Sequence, residues 1–156
     1  MQFNIIYILS AAILISSVGA LPVTQSPSTA AAIGVINSAA TLVLATEGTT
    51  GHAQIVAVQT AATPASIAAS TTEIEAAEQT AVDVIAASAK TAITATAASL
   101  ASSTPAALAS ETAAIKDAAA TATTSIKAAE TSATLQVQEA AQLAISAVTA
   151  LGEHNN

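Results

Sequence analysis

Residues 66–93, SIAASTTEIEAAEQTAVDVIAASAKTAI, decide the fold. Alanine is the strongest helix former and loses no side-chain entropy, and the stretch contains neither Gly nor Pro. Among its large residues are Ile67, Ile74, Val82, Ile85 and Ile93, and Leu100 continues the series. At 100° per residue these six stay within about 100° of one another, one ridge of aliphatics on a cylinder clad in Ala, Ser and Thr. The reading is a long amphipathic helix.

Residues 107–130, ALASETAAIKDAAATATTSIKAAE, echo it at an offset of 41. Thr63-Pro64-Ala65 matches Thr104-Pro105-Ala106, and Ile67, Ile74 and Ile85 match Leu108, Ile115 and Ile126. Thr71 and Thr80 match Thr112 and Thr121. Beyond the echo, Ile115, Ile126, Val137 and Val148 step by eleven residues. An eleven-residue repeat averages about 3.67 residues per turn, which keeps a stripe straight or slightly right-handed and sets it apart from a heptad coil. The last two helices thus read as long and duplicated.

Working outward, Ser26-Pro27, Thr63-Pro64 and Thr104-Pro105 each set a hydroxyl side chain before a proline. The hydroxyl suits an N-cap and proline suits the first helical position, so each pair marks a helix start. Gly48-Thr49-Thr50-Gly51 reads as a turn. Four helices follow: Pro27 to Thr46, His52 to Ala62, Pro64 to Ser102 and Pro105 to Leu151. Overlapping capping-box patterns, Ser70 to Glu73 and Thr72 to Glu75, allow the third to restart near residue 71. The first two helices carry Ile33, Val35, Ile36, Leu42, Val43, Leu44, Ile55, Val56 and Val58, and are expected to fill the centre. The fold class is all-α, a slender bundle of about four Ala-rich helices.

The front of the chain reads as an address. Residues 5–15, IIYILSAAILI, form a short apolar run, and Ser16 to Ala20 are small, with Val18 and Ala20 at the −3 and −1 positions of a cleavage site. Residues 1–20 are therefore expected to be a secretory signal peptide. The run falls short of the roughly 20 residues that span a bilayer, so no transmembrane anchor is expected in the mature chain. Residues 21–29 read as a Pro/Ser/Thr linker, 30–151 as the helical domain and 152–156 as a polar tail.

From Leu21 onward, Ala, Thr and Ser make up 76 of 136 residues, and Ile, Val and Leu only 27. Met1, Phe3 and Tyr7 are the sole Met, Phe and Tyr, so a cleaved chain has no aromatic and no sulfur. That is close to the limit at which large side chains offset ordering entropy. A thin core is expected. Without Cys there is no disulfide framework or thiolate site. With three Lys, no Arg and a formal charge of −7, nucleic-acid binding is not expected, because phosphate neutralisation needs a basic patch.

Catalysis needs acids, bases or nucleophiles gathered in a concave site. The imidazoles are His52, read as following a turn at a helix start with Glu47 the nearest carboxylate, and His154 in the tail. Glu73, Glu75, Glu78 and Asp83 are the densest acidic group, placed where carboxylates complement the positive end of a helix. Lys90, Lys116 and Lys127 are scattered, with Lys116-Asp117 a plain surface pair. No phosphate loop, HExxH or GxSxG motif occurs. The expectation is a non-enzyme with no catalytic, cofactor-binding or metal residues and no cofactor.

Two resemblances bear on function. Thr49, Thr60 and Thr71, and Thr112, Thr123 and Thr134, are eleven apart, a spacing that resembles alanine-rich helical ice-binding proteins, although the first triad crosses Pro64. The leader, together with the stretches at 66–93 and 107–130, resembles the fungal hydrophobic surface-binding and cell-wall galactomannoprotein family. That resemblance implies secretion, adsorption to hydrophobic solids, wall association or lipid carriage, and it assigns no binding residue. The expected function is a secreted, extracellular or cell-wall-associated helical protein acting at the wall, the matrix or a hydrophobic surface; exposed Ser and Thr offer acceptor positions for O-linked sugars, which would suit a wall protein. The alternatives are a secreted lipid or hydrophobic-ligand binder and an effector-like partner-binding protein. Candidate partners are a hydrophobic surface, cell-wall polysaccharide or lipid, and oligomeric state is left open.

Overall fold

The computed structural model describes residues 26–104 and 109–153. The expected signal peptide, residues 21–25 of the expected linker, the Pro105 helix start and His154 lie outside the described residues. The described chain is all-α: α1 is Ser26–Ala61, α2 is Ile67–Ser103 and α3 is Ala109–Glu153. The last four residues of the stretch read as linker, Ser26 to Thr29, are helical, as the Ser26-Pro27 start signal requires. At the other end α3 runs through Gly152 into the stretch read as tail.

Among the described residues three helices stand where four were expected, because the Gly48–Gly51 stretch is not a turn. Both glycines have negative φ and sit inside α1. Thr49 Oγ1 donates to the Ala45 carbonyl at 3.0 Å and Thr50 Oγ1 to the Thr46 carbonyl at 2.9 Å, so both hydroxyls are absorbed by the helix. The glycines answer to packing instead. A methyl group on Gly51 would lie 2.6 Å from Ala81 Cβ and 3.0 Å from Val137 Cγ2. One on Gly48 would lie 3.0 Å from Ala133 Cβ. The absent side chains let three backbones approach closely.

The break between α1 and α2 falls where Thr63-Pro64 marks it. Thr63 C=O accepts the Ser66 N–H at 2.9 Å, and Ser66 Oγ accepts the Thr63 N–H at 2.9 Å. The two bonds close a turn over Thr63–Ser66, so α2 begins at Ile67 and not at the expected Pro64. Ser70 N–H then bonds the Ser66 carbonyl at 2.8 Å and the α-helical ladder begins. No restart occurs near residue 71. Thr72 Oγ1 instead donates back to the Ala68 carbonyl within α2.

Inside all three helices the buried residues recur at eleven. In α1, Ile33, Leu44 and Ile55 are buried, as are Thr29, Ala40 and Gly51. In α2 the series are Ile74, Ile85 and Thr96, and Ala81, Ala92 and Ser103. In α3 they are Ile115, Ile126, Val137 and Val148, and Ala122, Ala133 and Ala144. Large and small residues thus alternate along each buried stripe. Val82, Ile93 and Leu100, placed on the ridge from sequence, are only half-buried, because Ala81, Ala92 and Thr96 share the buried stripe with Ile74 and Ile85. The 41-residue echo carries through to burial, pairing Ile74 with Ile115, Ala81 with Ala122, Ile85 with Ile126 and Ala92 with Ala133.

The helices build two compact units, one from residues 26–44, 86–104 and 109–130, the other from 45–85 and 131–153. In the first, Ile33 of α1 clusters with Ile115, Ala119 and Ala122 of α3, and Leu100 of α2 packs against them. In the second, Gly51, Ala81 and Val137 bring the three helices together. Fully burying an Ile or Val contributes roughly 1.5–3 kcal/mol. The first unit also buries Thr29, Ser88, Thr96 and Ser103, so part of its interior is hydroxyl rather than hydrocarbon. Thr96 meets that cost by donating to the Ala92 carbonyl at 2.9 Å.

Candidate functional site

The residues with potential for chemistry do not converge. His52 is exposed in mid-helix on α1, not at a helix start. Glu47 is half-buried, and five residues of helix rotate it about 140° away from His52. The two side chains share no face, so no carboxylate orients the imidazole from within that helix.

The acidic group lies along α2 with Glu73, Glu75 and Asp83 exposed and Glu78 half-buried. Because α2 begins at Ile67, these carboxylates stand beyond its first turn, and dipole complementarity does not account for them. Asp83 accepts a hydrogen bond from Gln79 Nε2 at 2.9 Å, an i, i+4 pair of the kind that stabilises a helix locally. Lys116 and Asp117 are exposed neighbours on α3. Among the described residues, no three His, Asp or Glu side chains are grouped to hold a metal ion.

The threonine arrays fare differently from one another. Thr49 and Thr60 lie on α1 and Thr71 on α2, with the Thr63–Ser66 reversal between them, so that triad is not on one helix. Thr112, Thr123 and Thr134 share α3 but are each half-buried. Neither set forms an exposed flat rank.

What the helices do present is a methyl-rich surface. Ser38, Thr49, Thr60, Thr80, Thr91, Thr94, Thr124 and Thr149 all donate their hydroxyls to the carbonyl four residues back, at 2.8–3.0 Å. A back-bonded threonine has committed its single donor, which leaves its γ-methyl and a lone pair facing outward. Large aliphatics join them. Val35 is 51% exposed, Leu42 69%, Val56 40%, Leu135 50% and Leu143 72%.

Three of these belong to the group expected to fill the centre, and that expectation fails for them. Ile33, Ile36, Leu44 and Ile55 are buried, whereas Val43 and Val58 are half-buried and Val35, Leu42 and Val56 face outward. The eleven-residue step holds the signal that separates them. It links Ile33, Leu44 and Ile55 and passes over Val35, Leu42 and Val56. Reading α1 as two helices hid this, because Ile33 and Leu44 fell on one piece and Ile55 on the other.

Two helices, Thr29–Ala61 and Ile67–Ser103, are long and apolar enough to cross a membrane by length and composition, and only 28% of each apolar window is buried. In α1 the exposed part includes Val35, Leu42 and Val56, whereas every large aliphatic of α2 is buried or half-buried. No protein-family model, curated protein or solved structure matches the chain.

Proposed function

We propose that this chain is a secreted, non-enzymatic helical protein that works by lying against a surface at the cell wall, in the extracellular matrix or on a hydrophobic solid. The observation that carries the reading is the outward surface: Val, Leu and Ala methyls, and hydroxyls whose donors are already spent on backbone carbonyls. Such a surface gains by leaving water for an apolar contact, at roughly 25 cal/mol per Å² removed. It offers little directional hydrogen bonding, in keeping with adsorption rather than recognition of one small molecule. The shared burial pattern of α2 and α3 supports their origin as copies of one helix, and the thin interior suits a slender bundle.

The test is depletion of residues 21–156 from solution by octadecyl-coated silica, by bare silica and by insoluble wall polysaccharide. Strong depletion by octadecyl silica or polysaccharide, with little on bare silica, is the expected result. Equal behaviour on all three surfaces, or no depletion, would sink the reading. A second reading, a lipid binder, is favoured by the two helices of membrane-crossing length. It requires lipid to co-purify with the chain, visible by mass spectrometry of an organic extract. At Gly51 the interior has no room for even one more methyl, which weighs against an acyl chain at that level.

A further inference from the structure

Charge is not spread evenly over the three helices. Among the described residues, α2 exposes Glu73, Glu75, Asp83 and Lys90, and α3 exposes Lys116, Asp117, Lys127, Glu139 and Glu153. Helix α1 exposes no Asp, Glu, Lys or Arg. Its one carboxylate, Glu47, is half-buried, and His52 is its only exposed titratable side chain. A 36-residue helix on a chain of formal charge −7 thus presents an outer face without one fixed charge.

That face also carries aligned aliphatics. Val35 and Leu42 are seven residues apart, so they lie within about 20° of each other around the helix and about 10 Å apart along it. The exposed leucines of α3 are placed otherwise. Leu135 and Leu143 bracket the exposed Glu139, which falls about 40° from each on the same side of the helix. Any apolar contact made there must desolvate a carboxylate, which is costly when no partner charge is supplied.

We infer that the outward line Val35–Leu42 of α1 is the face through which the chain adsorbs to an uncharged hydrocarbon surface. The inference rests on the surface-adsorption reading and names its contact face. Complementarity selects the occupant: a neutral, donor-poor face is matched by a neutral apolar surface. A cationic partner finds its charges on α2 and α3. An anionic one meets no exposed Lys on α1 and a net negative chain.

The test compares two double variants of equal charge on octadecyl silica, Val35→Glu with Leu42→Glu, and Leu135→Glu with Leu143→Glu. All four sites are exposed and helical, and Glu is a good helix former, so both variants are expected to fold. Far-UV circular dichroism of each sample verifies that, and Val35→Ser with Leu42→Ser provides an uncharged second variant on α1. Both α1 variants are expected to lower partition onto the beads by about tenfold or more, since two apolar anchors are lost. The α3 variant is expected to stay within about twofold of the unmodified chain. Equal loss in both Glu variants, or an α1 variant that adsorbs normally, would overturn the assignment while leaving surface adsorption standing. Failure of the unmodified chain to adsorb would overturn both. Sedimentation of the unmodified chain as a dimer that the α1 variants dissociate would give the face to a second copy, and would also overturn the inference.

Discussion

Helices α1 and α2 have nearly the same length, 36 and 37 residues, and bury residues at the same eleven-residue step, yet they differ on both of their faces. Inside, both bury large side chains, Ile33, Leu44 and Ile55 in α1 and Ile74 and Ile85 in α2, but the small positions between them are Gly48 and Gly51 in α1 where α2 has Ala81 and Ala92. Outside, α2 is acidic and α1 has no exposed fixed charge. The lesson is a division of labour along one helical period. Inner positions are set by how near the neighbouring backbone comes, and outer positions are left free to be set by what the protein meets.

The sharpest way to break that comparison is to truncate one large aliphatic on each helix. Ile85→Ala on α2 removes a fully buried side chain, and a loss of roughly 2–5 kcal/mol is expected from urea unfolding. Leu42→Ala on α1 removes a residue of similar size that is 69% exposed, and a change within about 0.5 kcal/mol is expected. Comparable losses at the two sites would mean that α1 is packed inward at Leu42.

Next in size is Gly51→Ala. In an exposed helix this change gains about 1 kcal/mol. Here the new methyl would stand 2.6 Å from Ala81 Cβ, so a net loss of roughly 1–3 kcal/mol is expected. A gain would show that α1 turns at Gly48–Gly51, or that α1, α2 and α3 do not meet there. Pairing Gly51→Ala with Ala81→Gly should recover part of the loss, because the relieved contact is the one that was violated.

Gly34→Ala supplies the contrast within α1. Nothing lies within 4 Å of the added methyl, so a gain of about 0.5–1 kcal/mol is expected in the same unfolding experiment. Thr29→Val is the smallest effect. The Thr29 hydroxyl is buried with no hydrogen-bond partner, and replacing it by a methyl of similar shape is expected to be neutral or to stabilise by up to about 1 kcal/mol. A clear loss at Thr29 would reveal a partner for that hydroxyl.

The features legible in the sequence were those with a local cause. Alanine content, the absence of Gly and Pro from residues 66–93, and the Thr63-Pro64 reversal follow from backbone preference and capping, and each can be read within a few residues. The eleven-residue series Ile115, Ile126, Val137 and Val148 was legible because large residues occupy every step. In α2 the buried stripe beside Ile74 and Ile85 is made by Ala81, Ala92 and Thr96, so hydrophobic size misplaced it toward Val82 and Ile93. The glycines of α1 misled for a different reason. Glycine serves equally for a turn and for close approach of helices, and only Ala81, Ala133 and Val137, remote in sequence, decide between them. The charge-free face of α1 was present in the residue types throughout, but it became a face only once 26–61 was one helix.

That ordered helices exist before any surface is met is most directly tested by far-UV circular dichroism of residues 21–156 in dilute aqueous buffer, followed through a thermal melt. The expected result is a strongly helical spectrum lost in one cooperative transition, reversible on cooling. A coil spectrum, or a gradual non-cooperative loss of helicity, would contradict it, since helices of this length that melt independently are not held together by the buried stripes described here.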